Sequence, residues 1–416
     1  MLACGLDFGT SNSAIGIARD RAATLVPVEG NSTLMPSAIF FDYETKGRVL
    51  FGNEAISAYV GQTEGRLMRA LKSILGSSLI DEKTSVGIRK LPLTEVIEMF
   101  VRHLKHQAEV FAGQEITAVV HGRPVRFDDD DKADARALAV LETIARQAGF
   151  RDITFEYEPI AAVHHYEQTV RGEELVLVAD IGGGTSDFSV VRVSPQRRGR
   201  ADRGHDVLAA AGLRLGGTDF DTLLSRMTVM PLLGLGTKLV DKDLPMPKAP
   251  YTELARWATI NFAYTAKNER EIAELVALAC EPEKVRRLLD AVRQRLGHRL
   301  AFAVEDAKIE LSAEDSVVVP LAFLEPGLAA TATRAAFNRA IDAGTDRLRR
   351  TADDCIAAAG LRQADIDTIM LTGGSSRVPA VRSAVVKAAP SARLAGDADD
   401  LLSVPLGLTQ IARLMS

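Results

Sequence analysis

Asp180-Ile181-Gly182-Gly183-Gly184-Thr185-Ser186-Asp187 closes an apolar run that begins at Glu174, and a second apolar run, 188–193, follows at once. Three consecutive glycines permit chain bends that a Cβ would obstruct. Such bends can aim backbone amides at an anion, and Thr and Ser hydroxyls add donors. Asp180 sits at the strand end, beside the place where phosphates would lie. A carboxylate there repels a bare phosphate and becomes favourable when Mg²⁺ intervenes, usually through its waters. The same unit stands at the start of the chain. The apolar run 2–7 leads into Asp7-Phe8-Gly9-Thr10-Ser11-Asn12-Ser13, and another apolar run occupies 14–18. One Asp before glycine is an ordinary turn residue. Two copies of a whole strand–loop–strand unit point instead to a duplicated architecture with one phosphate loop per lobe. Neither loop continues into Gly-Lys-Ser/Thr and neither opens a helix, which sets aside the Walker and Rossmann readings.

Around these loops lie 416 residues, too many for one ordinary core, so two lobes are expected. The chain is 47% apolar and 25% charged, as folded soluble proteins are. A net charge of −5 supplies no global basic field for nucleic acid or anionic lipid. Cys4, Cys280 and Cys355 share no metal-ligand spacing, and so sparse and odd a count suits a reducing compartment. Met1-Leu2-Ala3-Cys4 lacks the positive and apolar segments of a lipoprotein leader and reads as the first buried strand. No segment nears the roughly 18 apolar residues of a membrane span. The expectation is a cytoplasmic monomer with neither nucleic acid nor membrane as partner.

Periodicity places helices at 93–111, 132–147, 218–227, 253–266, 269–279, 282–311, 331–359 and 405–414, with another opening at Pro159. Strands are expected at 24–27, 37–41, 116–120, 153–157, 207–213, 317–321 and 368–372. The Arg/Gly-rich stretch 195–204 reads as a solvated hairpin tip, and 232–250 as a loop or crossover. The seven histidines form no ligand pattern and read as packing or surface residues.

The strand–loop–strand pair resembles that of the actin-like ATPase superfamily, and the residues resemble one branch of it. Gly5-Leu6-Asp7-Phe8-Gly9-Thr10-Ser11-Asn12-Ser13 resembles the first phosphate motif of the DnaK-type heat-shock protein 70 family, and 180–187 resembles the second. Glu158-Pro159-Ile160-Ala161-Ala162 is similar to that family's Glu-Pro-Thr-Ala-Ala helix start. Leu215-Gly216-Gly217-Thr218-Asp219-Phe220-Asp221 is similar to its Leu-Gly-Gly-Glu/Asp-Asp-Phe-Asp. Leu371-Thr372-Gly373-Gly374-Ser375-Ser376-Arg377-Val378-Pro379 resembles its adenosine motif. The motifs occur in the family's order over nearly the whole chain.

The resemblance implies an α/β chain of actin-like ATPase fold, two lobes each with a ribonuclease H-like βββαβα core around a central nucleotide cleft. Lobe I would span 1–173 and lobe II 174–416, with an enlarged helical insertion at about 222–304. The ligands implied are ATP/ADP and Mg²⁺, with K⁺ as an accompanying cation. Gly9, Thr10, Ser11 and Asn12, with Gly182, Gly183, Gly184 and Thr185, would hold the β- and γ-phosphates. Lys72, in Ala70-Leu71-Lys72-Ser73-Ile74-Leu75-Gly76, matches the catalytic lysine, which can orient the attacking water and stabilise transition-state charge. Glu158, Asp180 and Thr185 would complete the catalytic group. Asp7, Asp180 and Asp187 would serve the metal. Pro124 falls where the family has a proline coupling nucleotide to conformation. Gly216, Gly217, Glu305, Lys308, Ser312, Gly373, Gly374, Ser375 and Arg377 would receive the nucleoside; Glu305, Lys308 and Ser312 recur at i, i+3 and i+7.

The sequence departs from the family at named places. Ile309 stands where an adenine-stacking arginine is expected, and His121-Gly122-Arg123 precedes Pro124 in place of Val-Pro-Ala. An aspartate near the chain end matches Asp399 or Asp400 only with a one-residue slip. Only a short helix follows Gly407, so no linker or peptide-binding domain is expected, as in the short, YegD-like branch. The residues therefore suggest a Mg-ATPase acting as a chaperone-like switch toward an unknown protein partner or client. A non-hydrolysing, nucleotide-dependent interaction module is the alternative, with an actin-like filament or a sugar kinase behind it.

Overall fold

A computed structural model describes residues 2–19, 22–45, 47–87, 89–128, 130–198, 204–240, 244–395 and 402–415. Asp399 and Asp400, and the 199–203 tip of the Arg/Gly-rich stretch, lie outside them.

The chain divides into two compact units: Met1–Gly216 with Asp346–Arg377 and Val381–Ser416, and Gly217–Thr345 with Val378–Ala380. The first unit contains the duplication. In one sheet Ala3–Phe8 is central, with the antiparallel neighbours Asn12–Arg19 and then Ala22–Leu25 on one side. On the other side lie the parallel strands Ala118–Arg123 and Asp152–Tyr157. The second sheet repeats that order around Glu174–Ile181. Ser186–Val193 and Val207–Leu213 run antiparallel on one side, and Thr368–Thr372 and Arg393–Leu394 run parallel on the other. Both central strands are apolar and buried, as strands covered on two faces must be. This is the actin-like α/β fold.

The helix Glu158–Tyr166 starts directly from the last residue of its strand. The helix Ser403–Met415 lies against both that helix and the first sheet. Gly407 allows the approach: a Cβ there would stand 1.7 Å from the Ala161 carbonyl oxygen. The face between them is apolar, with Ala161, Ala162, Val404, Leu408 and Ala412 buried in one cluster.

Three expected helices take other forms. The 253–266 stretch is helical only as Ala249–Ala255, because Arg256 turns extended (φ −104°, ψ 121°) and a 3₁₀ turn, Ile260–Ala263, follows. The 282–311 stretch splits into Pro282–Arg293 and Gly297–Glu310 at Arg295, which is left-handed (φ +54°). There the Gly297 amide donates to the Tyr264 hydroxyl at 2.9 Å instead of continuing a helix. The start of 331–359 belongs to a strand, Ala329–Thr333, paired antiparallel with Ser316–Pro320; the helix begins at Arg334. β-Branched Thr331 and Thr333 fit a pleated surface, and pairing overrides the helical spacing. The 116–120 strand is shifted, running Ala118–Arg123.

Candidate functional site

The two glycine loops occupy equivalent turns of the two sheets in the first unit. Asp7 lies opposite Ala14 across the first hairpin, and Asp180 opposite Asp187 across the second. Ser37 fastens the first loop. Its hydroxyl donates to the Gly9 carbonyl at 2.7 Å, its amide donates to the Ser11 carbonyl at 2.9 Å, and Ser13 and Ser37 share a hydrogen bond of 2.8 Å. Gly9 N–H donates to the Ser13 hydroxyl at 3.2 Å. In the second loop Gly182 N–H donates to the Thr185 carbonyl at 2.9 Å, and the Ser375 hydroxyl donates to the Gly182 carbonyl at 2.8 Å. The loops nearly touch. A Cβ on Gly183 would meet Ser11 Oγ at 2.6 Å, and one on Gly216 would meet the Gly184 amide nitrogen at 2.6 Å. Gly216 is therefore required by closeness to neighbouring backbone, whatever ligand is held, whereas a side chain at Gly183 would displace the Ser11 hydroxyl.

Lys72 lies on a 3₁₀ turn, Leu71–Ile74, launched from Ala70 in the left-handed region (φ +57°). For a residue with a Cβ that conformation costs about 1 kcal/mol or more, so the surroundings must hold it. The Lys72 ammonium is buried against the Glu158 carboxylate in an ion pair. Burial opposes the lysine's charge, but Glu158 and then Asp7 outweigh it and hold its pKa above the ordinary value. A surface-helix lysine would show none of this.

Four carboxylates surround this one ammonium. Burial, then the charge of Glu158, pushes Asp7 up to about 8 and Asp180 up to about 7, with Lys72 pulling both back. Asp187 is raised well above the ordinary range by burial and by Glu158 and Asp180. The pocket thus gathers more buried carboxyl groups than its one lysine can keep ionised, an environment that an added cation relieves. Among the described residues no three His, Cys, Asp or Glu side chains converge as a direct ligand set. The residues that could serve a metal here, through its waters, are Asp7, Asp180 and Asp187.

Two further residues had no signal in the sequence. Ser37 is one. Arg123 is the other: its guanidinium donates to the Pro124 carbonyl (2.9 Å) and the Val125 carbonyl (3.1 Å), and lies 5.4 and 5.1 Å from the Phe127 and Tyr157 ring centroids. The loop so held turns the Val125 amide, and the Arg126 amide at 3.3 Å, onto Asp187. Pro124 therefore sits in a loop fixed to the carboxylate group. His121, beside it, is buried, and burial lowers it to about 4, so it is neutral.

The nucleoside candidates fall in different units. Gly216, Gly373, Gly374, Ser375 and Arg377 belong to the first, where Ser375 is buried and Gly374 and Arg377 are exposed. Gly217, Glu305, Lys308 and Ser312 belong to the second. Lys308 is buried and paired with Asp221 at 2.6 Å. Ser312 lies in the turn beyond the helix Gly297–Glu310, its hydroxyl 3.5 Å from the Lys308 carbonyl. Ile309 is exposed on the same helix.

The family model described as Hsp70 protein matches residues 3–232 and 273–395. The chain is similar to the chaperone protein DnaK of Mycoplasmopsis agalactiae, at 26% identity over 390 residues. That alignment covers 92% of this chain and 53% of the relative, so the chain spans about half of that protein's length.

Proposed function

The chain belongs to the Hsp70 family, and on that premise we propose that it binds ATP and hydrolyses it with Mg²⁺, working as a nucleotide-driven conformational switch. The observation that supports this reading best is the buried Lys72–Glu158 pair set among Asp7, Asp180 and Asp187, beside two glycine loops in contact. In this reading Gly9, Thr10, Ser11 and Asn12, with 182–185, receive the β- and γ-phosphates. Asp7, Asp180 and Asp187 hold the metal's water shell. Mg²⁺, when bound, neutralises phosphate charge that would otherwise face these carboxylates. Lys72, kept protonated by its carboxylate neighbours, stabilises charge on the transferring phosphoryl group. Glu158 fixes the lysine and, with Asp180 and Thr185, orients the attacking water. Glu305, Lys308 and Ser312, with Gly216, Gly217, 373–375 and Arg377, receive the nucleoside. K⁺ accompanies Mg²⁺.

The lobes in this reading are 1–173 and 174–416, with 222–304 as an insertion. Its partner is a protein client, engaged from the cytoplasm and governed by the nucleotide state. Single-turnover hydrolysis of ATP tests the chemistry. We expect Mg²⁺-dependent turnover that drops roughly 10²- to 10³-fold in Lys72→Ala. Wild-type turnover no faster than that of Lys72→Ala would remove the hydrolytic role and leave a binding module.

A further inference from the structure

The 222–304 stretch contains Trp257, the single tryptophan of the chain. It is buried, and it follows the point where the Ala249–Ala255 helix breaks off. Its indole Nε1–H donates to Asp221 Oδ2 at 3.3 Å. The other oxygen of that carboxylate, Oδ1, pairs with the Lys308 ammonium at 2.6 Å. Lys308 also faces the Gly217 carbonyl at 3.4 Å. The Asp221 ion pair and the Gly217 carbonyl are thus the two contacts that hold the Lys308 ammonium in place. The indole is itself fixed by Phe302, edge-on at 5.0 Å, and by His298 at 6.1 Å, both on the helix that carries Lys308.

We propose that Trp257 is a positioning residue for nucleotide binding: it orients the Asp221 carboxylate, which orients Lys308 toward the nucleoside. The inference rests on the ATP-binding reading above and extends it, since it gives the inserted stretch a role in ligand affinity. Asp221 needs such support. Burial pushes its carboxyl up to about 6, with Lys308 opposing. A buried carboxylate with one oxygen unheld can rotate or take up a proton.

Trp257→Phe keeps an aromatic ring against Phe302 and removes the indole N–H. Calorimetric titration with Mg-ATP should show affinity about tenfold weaker than wild type, the size of one lost hydrogen bond to a charged acceptor. Affinity for inorganic tripolyphosphate, which has no nucleoside, should be unchanged. Steady-state KM should rise by more than kcat falls. Should Trp257→Phe fail to fold, Asp221→Asn serves as the second variant, with the same loss of Mg-ATP affinity and the same unchanged tripolyphosphate affinity expected. In the wild-type chain Mg-ATP should change the Trp257 fluorescence while tripolyphosphate leaves it unchanged. Equal Mg-ATP affinity in the wild type and the folded variant overturns the positioning role and leaves ATP binding standing. Equal weakening toward Mg-ATP and tripolyphosphate also overturns it, marking Trp257 as packing alone. A wild-type chain that binds no ATP overturns both readings.

Discussion

Asp180 illustrates how a residue that disfavours stability can be a candidate for chemistry. Its carboxyl is buried beside Glu158, and its pKa near 7 records how poorly the folded protein tolerates its charge. A shift of one unit corresponds to about 1.4 kcal/mol of preference between protonation states. Asp180→Asn should therefore raise the metal-free stability by roughly 1–3 kcal/mol at pH 8, read from urea unfolding in EDTA. The same variant should lose about 10²-fold or more of its Mg²⁺-dependent ATP turnover. A fall in metal-free stability would mean that the carboxylate crowding is compensated in a way these contacts do not include. Lys72 is the complementary case. It resembles any helix lysine in the sequence, yet only its buried pairing with Glu158 makes it a candidate for chemistry.

Elements, more than residues, hold Glu158 where it is. The helix Glu158–Tyr166 is pressed between its sheet and the helix Ser403–Met415, with Gly407 at the closest approach. Gly407→Ala would place a carbon against the Ala161 carbonyl, so the two helices must separate. We expect a loss of about 2–4 kcal/mol by urea unfolding, with ATP turnover falling through displaced Glu158. Gly172→Ala is the matched control: a Cβ there meets no atom within 4 Å, and its stability should stay within about 0.5 kcal/mol of wild type. Similar losses in both variants would show that the close approach of the C-terminal helix is not what matters.

At the scale of the whole molecule, these carboxylates make stability depend on pH. Asp7 and Asp180 hold protons up to about 8 and 7 in the folded chain, against an ordinary value of 3.8. Between pH 4 and 8 the folded state therefore binds more protons at these groups than the unfolded state does, and their contribution to stability falls as pH rises. Metal-free protein should lose part of its urea midpoint between pH 5.5 and 8, and Mg²⁺ with ATP should restore it at pH 8. Asp180→Asn should flatten the metal-free slope. An equally steep slope in that variant would assign the pH dependence to other groups. By itself the sequence determined the duplicated strand–loop–strand units, the paired aspartates and the motif order, because apolar runs and glycine turns are local signals that survive without neighbours. It also located Lys72 and Glu158, through resemblance rather than periodicity. Only the tertiary structure decided that these two residues meet, that Ser37 and Arg123 fasten the loops, and where 253–266 and 282–311 cease to be helical. Those outcomes depend on partners far along the chain: Tyr264 facing Gly297, Asp221 facing Trp257, Gly9 facing Ser37. Local spacing carries no information about which distant group will satisfy a buried donor or share a buried charge.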